Sequence, residues 1–309
     1  MGIKHTYVAT GTNDGTKQVS VDRWNQDHSI DTELDIPVIA TPTAPPDGFI
    51  SVYAKKLGGR TMLVQQGPSG LDTTLQPNLG GNKIGIWSPP GNAGTVPVVF
   101  GIGTLTTVGT VTTRTAAVTN FATRLLRLGY VSAATAGALT SLRETLTKYT
   151  TGAGTGLGGF FYRLRFVPSN AATVAGERFF AGLSANTAAA SNVEPNTLIN
   201  SIGVCQLSTS ANLNVYSGGA SPGTAVDLGS NFPANTLSAD AYEFSMFAAS
   251  DGSVKWQVDR LGTAFTANGT FASAPTSSTF IGHQIWKTNN ATALAVGVDI
   301  VSIYIETDN

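Results

Sequence analysis

Residues 242–261 read "YEFSMFAASDGSVKWQVDRL", two runs of alternating apolar and polar side chains on either side of Asp251-Gly252. A period of two puts Tyr242, Phe244, Met246, Val254, Trp256 and Val258 on one face. Asp-Gly is a two-residue turn signal, so the stretch predicts a β-hairpin with that face inward. "FFYRLRFV" (160–167) repeats the pattern, with Phe160, Tyr162, Leu164 and Phe166 inward and Arg163 and Arg165 outward. "ALAVGVDIVSIYIE" (293–306) is apolar on both faces, as a central strand covered on both sides is. Short strands about every 8–12 residues, punctuated by Gly, Asn and Pro, predict an all-β fold of the β-sandwich or jelly-roll kind.

Working outward from these strands, the chain divides into four parts. Residues 101–309 form the sandwich, with a Thr-rich lead-in. Within it, 120–149 carries mixed signals: Leu139, Leu142 and Leu146 have helical spacing and "SLRE" resembles a capping box, but Thr is abundant and Gly129 and Gly137 interrupt the run. Strand and loop with one helical turn is the expectation. Residues 47–100 read as a small antiparallel module, in which "FISVYAKKL" and "RTMLVQQG" are joined by Gly58-Gly59 and "NKIGIW" and "VPVVFG" follow as short strands. Residues 37–46 hold Pro37, Pro42, Pro45 and Pro46 and predict an extended linker. Residues 1–36 are polar and form a separate, extended segment, which includes His5 and His28.

Charged residues are 12% of the chain, roughly half the usual ~25%, and the formal net charge is −1. No basic field is present to hold nucleic acid or an anionic membrane. A surface so poor in charge is weakly hydrated, and burial between identical subunits is one remedy, so a homo-oligomer is expected. The single Cys205 excludes an intrachain disulfide and reads as a core thiol in "SIGVCQL". "MGIKHTYVAT" lacks the apolar stretch of a secretory signal, and no apolar run approaches the ~20 residues that span a bilayer. Cytosolic synthesis without membrane insertion is expected.

Catalytic chemistry is poorly represented. Gly154-x-Gly156-x-x-Gly159 matches a dinucleotide fingerprint in form, but a strand follows it where a phosphate site needs a helix, so it reads as a connector. His5, His28 and His283 show no metal-ligand spacing, and His283 alternates with apolar neighbours as a strand residue does. Glu177, Glu194, Asp227, Asp240, Glu243 and Asp259 are scattered singly, whereas a glycosidase needs two carboxylates across a cleft. The expectation is no catalytic residue, no cofactor and no metal. Trp87, Tyr216, Trp256 and Trp286 offer flat faces of the kind sugars stack on. Core packing is the stronger reading for Trp256, and both readings stay open for Tyr216 and Trp286. With Asn289 and Asn290 in "KTNNAT", Tyr216 and Trp286 are the candidate glycan-binding residues. The loops "SANTAAASNVEPNT" (184–197) and "YSGGASPGT" (216–224) also suit sugar hydroxyls, as they suit ordinary β-turns.

Three stretches carry a family resemblance. "YVATGTNDGTKQVSVDRWNQDHSID" (7–31) resembles the N-terminal segment of tailed-bacteriophage virion proteins. "DGFISVYAKKLGGRTMLVQQGPSGLDTTLQPNLGGNKIGIW" (47–87) is similar to a module of phage tail fibres, and "LGGFFYRLRFVPSN", "ERFFAGLSANT", "EPNTLINSIGVCQL" and the strands from 235 onward resemble the C-terminal domain of the same group. The resemblance implies a concanavalin-like or laminin-G-like sandwich in a non-enzymatic virion protein of the tail-fibre type. Taken with the tripartite layout and the low charge, the leading expectation is a homotrimer that resides in the virion, attaches through residues 1–36 to tail, baseplate or collar proteins, and presents its sandwich to host surface polysaccharide. A head-decoration or collar cement protein is the alternative, and a polysaccharide depolymerase a weaker one. In the attachment segment, Trp24 is the apolar plug, and Asp22, Arg23, Asn25 and His28 are its polar rim. Packing of Trp24 onto its own chain or its trimer mates is the competing reading.

Overall fold

The computed structural model describes residues 35–46, 48–66, 72–74, 83–91, 94–154, 157–249 and 251–307. The proposed attachment residues Asp22, Arg23, Trp24, Asn25 and His28 lie outside the described residues. Two compact units emerge, Met1–Lys55 with Leu63–Thr73, and Lys56–Met62 with Thr74–Asn309.

β1 (Ser51–Leu57), β2 (Arg60–Gln66) and β3 (Asp72–Thr74), whose residues divide between the two units, pair in chain order. Gly58 and Gly59 make the expected two-residue turn, with φ of 53° and 87°. Two successive left-handed residues match the twist of the flanking strands, and glycine reaches that region without strain. Tyr53, Ala54 and Val64 are buried, and the preceding extended segment contributes one parallel bridge, Val38 to Ala54. The turn itself counts with the larger unit. Gly58 N donates to Gln257 Oε1 at 3.3 Å, and Arg60 pairs with Glu306 while its guanidinium lies over Phe161 at 5.4 Å.

The larger unit runs through β4 (Lys83–Ser88), β5 (Val98–Phe100), β6 (Leu105–Val108) and β7 (Thr110–Thr113), then a one-turn helix α1 (Phe121–Arg124). Next come β8 (Leu128–Val131), β9 (Leu139–Glu144), β10 (Phe160–Pro168), β11 (Arg178–Ser184), β12 (Ser201–Gln206), β13 (Asn214–Gly218) and β14 (Val226–Asp227). The last five are β15 (Tyr242–Ala248), β16 (Val254–Arg260), β17 (Thr266–Thr270), β18 (Gly282–Thr288) and β19 (Gly297–Thr307). Two antiparallel sheets result. One has nine strands, ordered β17-β16-β15-β10-β19-β4-β5, with β8 also on β19 and β7 on β8; the other has seven, ordered β14-β13-β12-β11-β18-β9-β6.

The inner faces meet in one apolar core. Phe160, Tyr162, Leu164 and Phe166 of β10 face it as the alternation predicts, and so do all six residues named for the β15–β16 hairpin. Phe179, Ala181 and Leu183 of β11 come from the opposite sheet, and the Phe166 and Phe179 rings meet at 5.2 Å. The fold is therefore the expected all-β sandwich. β19 holds the centre of its sheet, pairing with β10 along one edge and with β8 and then β4 along the other. The pairing with β10 shifts register between Arg165 and Phe166, so that Val301 is extra on β19. This bulge moves the alternation by one residue, which is why Val298 and Ile300 face the core and Ile303 and Ile305 do too.

Two local expectations change, and the reading of 120–149 as strand and loop with one helical turn holds. β4 and β5, read as part of a module ending at 100, belong to the nine-stranded sheet, because the partner of "NKIGIW" is β19, far away in sequence. Leu139, Leu142 and "SLRE" lie in β9 or at its end, while the one helical turn is α1, capped by Asn120 and Thr123 in a reciprocal box. The four aromatics weighed as sugar platforms are all interior: Trp87 and Tyr216 are 0% exposed, Trp286 1% and Trp256 8%.

Candidate functional site

Tyr216 and Trp286 lie on the outer face of the seven-stranded sheet, where they form a second buried cluster with Phe180 and Cys205. Register explains it: Phe180 pairs with both Cys205 and Trp286, and Tyr216 pairs with Gly203 on the adjoining strand. Ala190, Leu198 and Leu207 pack over this cluster, so the β11–β12 connection lies on the sheet and seals it. Burial raises the Cys205 thiol pKa well above its ordinary value, as expected of a core thiol. Tyr216 Oη donates to Leu198 O and accepts from Gly223 N at 3.0 Å. The predicted sugar platform is thus a support beneath a loop, which corrects the surface role expected for Tyr216 and Trp286. Asn289 is buried as well, its Nδ2 donating to Thr135 O and Leu294 O at 2.8 Å each. Asn290 is half-buried, with φ of 52°, and turns the chain just after it.

The loop that these residues support encloses an open groove of about 500 Å³. Its polar lining is Asn186, Ser191, Thr197, Asn200 and Ser201, and its apolar lining is Ala185, Val193, Leu198 and Ile199. The frame is rigid. Ser184 and Ser201 share a hydroxyl hydrogen bond of 2.8 Å, and Ala185 N donates to Asn200 O at 2.9 Å, which extends the ladder one step beyond the strands. Asn186 Oδ1 accepts from Ala188 N at 2.9 Å, an Asx turn that Arg143 fixes by donating to Thr187 O. On the far side Glu194 takes Arg178 at 2.7 Å and Ser208 N at 3.2 Å. Burial opposes the charge on Glu194, but these hydrogen bonds outweigh it and hold the carboxyl below its usual pKa. Asn200 takes φ of 46° at the groove's inner corner and donates its N–H to Gly219 O at 2.7 Å.

Within that frame, Ser191 Oγ, the Asn200 side-chain amide and Asn186 Nδ2 have no hydrogen-bond partner among the described residues. Ile199 is half-exposed beside them, at 51%. Among the described residues no ionisable side chain lines the groove. Neutral donors and acceptors over aliphatic carbons match a polyhydroxylated, uncharged ligand.

The scattered carboxylates are engaged elsewhere. Glu177 meets Lys287, Glu243 meets Arg163 and Arg165, Asp240 meets Arg260 at 2.9 Å, and Asp227 accepts from Asn212 at 3.0 Å. Glu243 and Asp259 are cross-strand neighbours; burial pushes the Asp259 carboxyl up and the charge on Glu243 adds to that, while Thr266 and Gln257 donate to it. Among the described residues no group of three or more His, Cys, Asp or Glu side chains is placed to hold a metal ion, and no helix is long and apolar enough to cross a membrane. Sequence reasoning flagged the 184–197 loop by its composition but missed Leu198, Ile199, Asn200 and Ser201. Those four straddle the start of β12, where the apolar run looks like core.

No protein-family model and no curated protein sequence matches the chain. Among solved structures, a protein of unknown function from Shewanella oneidensis MR-1 is similar at 12% identity and a TM-score of 0.47, covering 73% of this chain and 86% of its own. Arcelin-5, a lectin-like defence protein from Phaseolus vulgaris, is similar at 7% identity and a TM-score of 0.47, covering 74% of this chain and 98% of its own. Peanut lectin is similar at 9% identity and a TM-score of 0.47, covering 73% and 97%.

Proposed function

We propose that the sandwich is a non-enzymatic binding module whose ligand is a neutral carbohydrate, seated in the groove between residues 185 and 201. The observation that carries this reading is that Asn186 Nδ2, Ser191 Oγ and the Asn200 side-chain amide, without partners among the described residues, are held over Val193, Leu198 and Ile199 on a sheet-anchored frame. Such a shallow site binds one sugar weakly, and repetition in an oligomer raises the effective affinity without new contacts. The resemblance of residues 7–31, 47–87 and the later strands to phage tail-fibre proteins supports a wider setting. In it the chain is a trimeric virion protein, attached through Asp22, Arg23, Trp24, Asn25 and His28 and presenting the sandwich to host polysaccharide.

The test is titration of the full chain with oligosaccharides from candidate host surfaces, followed by saturation-transfer NMR. Ser191→Trp fills the groove from an exposed position and is expected to abolish the signal while leaving the thermal midpoint unchanged. Binding that persists in Ser191→Trp overturns the groove assignment. A second reading, a head-decoration or collar cement protein, is favoured by the apolar edge strand β5, where Val98 is 64% and Phe100 67% exposed. Particles stripped of the protein separate the two readings: lost adsorption supports receptor binding, and weakened heads with normal adsorption support cement.

A further inference from the structure

Lys287 is one of the largest fully buried side chains, at 1% exposed, and it points into the core between the two sheets. A lysine there needs a reason, since an ammonium ion is costly to bury. Its Nζ lies 3.3 Å from Oε2 of Glu177, itself 1% exposed. The same Oε2 accepts from Nδ2 of Asn170, which is 3% exposed. The two nitrogens therefore lie no further apart than two hydrogen bonds laid end to end. Asn170 Oδ1 in turn accepts from Gly297 N at 2.8 Å, which draws electron density away from the Asn170 Cγ carbon. Phe166, Pro168, Phe179 and Val298 wall the Lys287 side chain. An amine, a polarised primary amide and a carboxylate that touches both are thus enclosed in an apolar chamber.

From this juxtaposition we infer that Lys287 and Asn170 join spontaneously in an intramolecular amide bond, with Glu177 as the proton carrier and ammonia as the leaving group. Lys287 passes one proton to Glu177 Oε2, and burial assists by lowering the pKa of the ammonium. The freed electron pair of Nζ attacks Cγ, forming the Nζ–Cγ bond, and the carbonyl electrons move to Oδ1, where the Gly297 N–H receives them. Glu177 then protonates Nδ2; the Cγ–Nδ2 bond breaks with its electron pair on nitrogen, and ammonia departs. The second Nζ proton leaves through Glu177 and converts the ammonia to ammonium. No oxidant, metal or outside reactant takes part. The bond ties β18 of one sheet to the residues just after β10 of the other.

Intact mass spectrometry of the full, folded chain tests this directly. The expected result is a mass about 17 Da below that of the sequence, one ammonia. Proteolysis should then yield a branched peptide joining Lys287 to Asn170. Glu177→Gln and Lys287→Met are expected to restore the full mass. The unmodified mass in the folded wild-type chain overturns the inference. So does an ammonia loss with linear peptides carrying Lys287 and Asn170 separately, since that loss arises elsewhere.

Discussion

His283 lies in the core between Tyr149 and Tyr162, with ring separations of 5.5 and 5.4 Å, and neither ring nitrogen has a hydrogen-bond partner among the described residues. Burial lowers its pKa to about 4; the Glu144 carboxylate opposes that shift and Lys148 adds to it. The unfolded chain, with an ordinary histidine, therefore takes up a proton below about pH 6.5 that the folded chain refuses until about pH 4. Stability is expected to fall across that window as pH drops, by about 3 kcal/mol from this residue. Urea midpoints of wild type and His283→Gln, measured at pH 7 and pH 4.5, check it: the gap between the two pH values should narrow in the variant. Trp286→Ala should cost about 3–5 kcal/mol in the same assay, because it empties the cluster beneath the groove. That residue also shows where reading by composition stops. An aromatic beside an Asn-rich loop looks like a surface platform, and only the loop's path over the outer sheet face turns it into core.

At the level of elements, alternation made β10, β15 and β16 legible to the residue, because each sets its apolar face against the common core and period two fixes which face that is. β4 was misassigned for the complementary reason: nothing in "NKIGIW" encodes a partner more than two hundred residues away. The groove was half legible, its rim through Asn and Ser content and its floor not at all. Its frame depends on close strand contact at the Gly182–Gly203 pair, where a Cβ on Gly182 would stand 2.1 Å from Ile202 O. Gly182→Ala should force β11 and β12 apart and destabilise the sandwich by about 2–3 kcal/mol, read as a lowered urea midpoint.

For the whole molecule, sparse charge and an uncovered apolar edge act together. β5 stands at the end of the nine-stranded sheet, and Val96, Val98 and Phe100 on and beside it are exposed, with Ile86 on the adjoining strand. Pro97 removes one N–H donor just before β5, so pairing with another chain along this edge is confined to the exposed apolar run Val98–Phe100. The expected outcome is a discrete oligomer in light scattering, converted to monomer by Val98→Lys with Phe100→Lys while the circular dichroism spectrum is kept.

The central position of β19 also sets the order in which the protein can form. β4 and β8 precede it by most of the chain, and β10 by more than half of the larger unit, yet all three complete their pairing on it. Until the ribosome delivers residues 297–307, those strands have unmatched edges and the sheet stays open. Closure of the sheet is then a late event with a high contact order, slow and exposed to aggregation while it waits. Ribosome-bound chains arrested before residue 297 should therefore remain protease-sensitive, and resistance should arrive abruptly once β19 has cleared the exit tunnel.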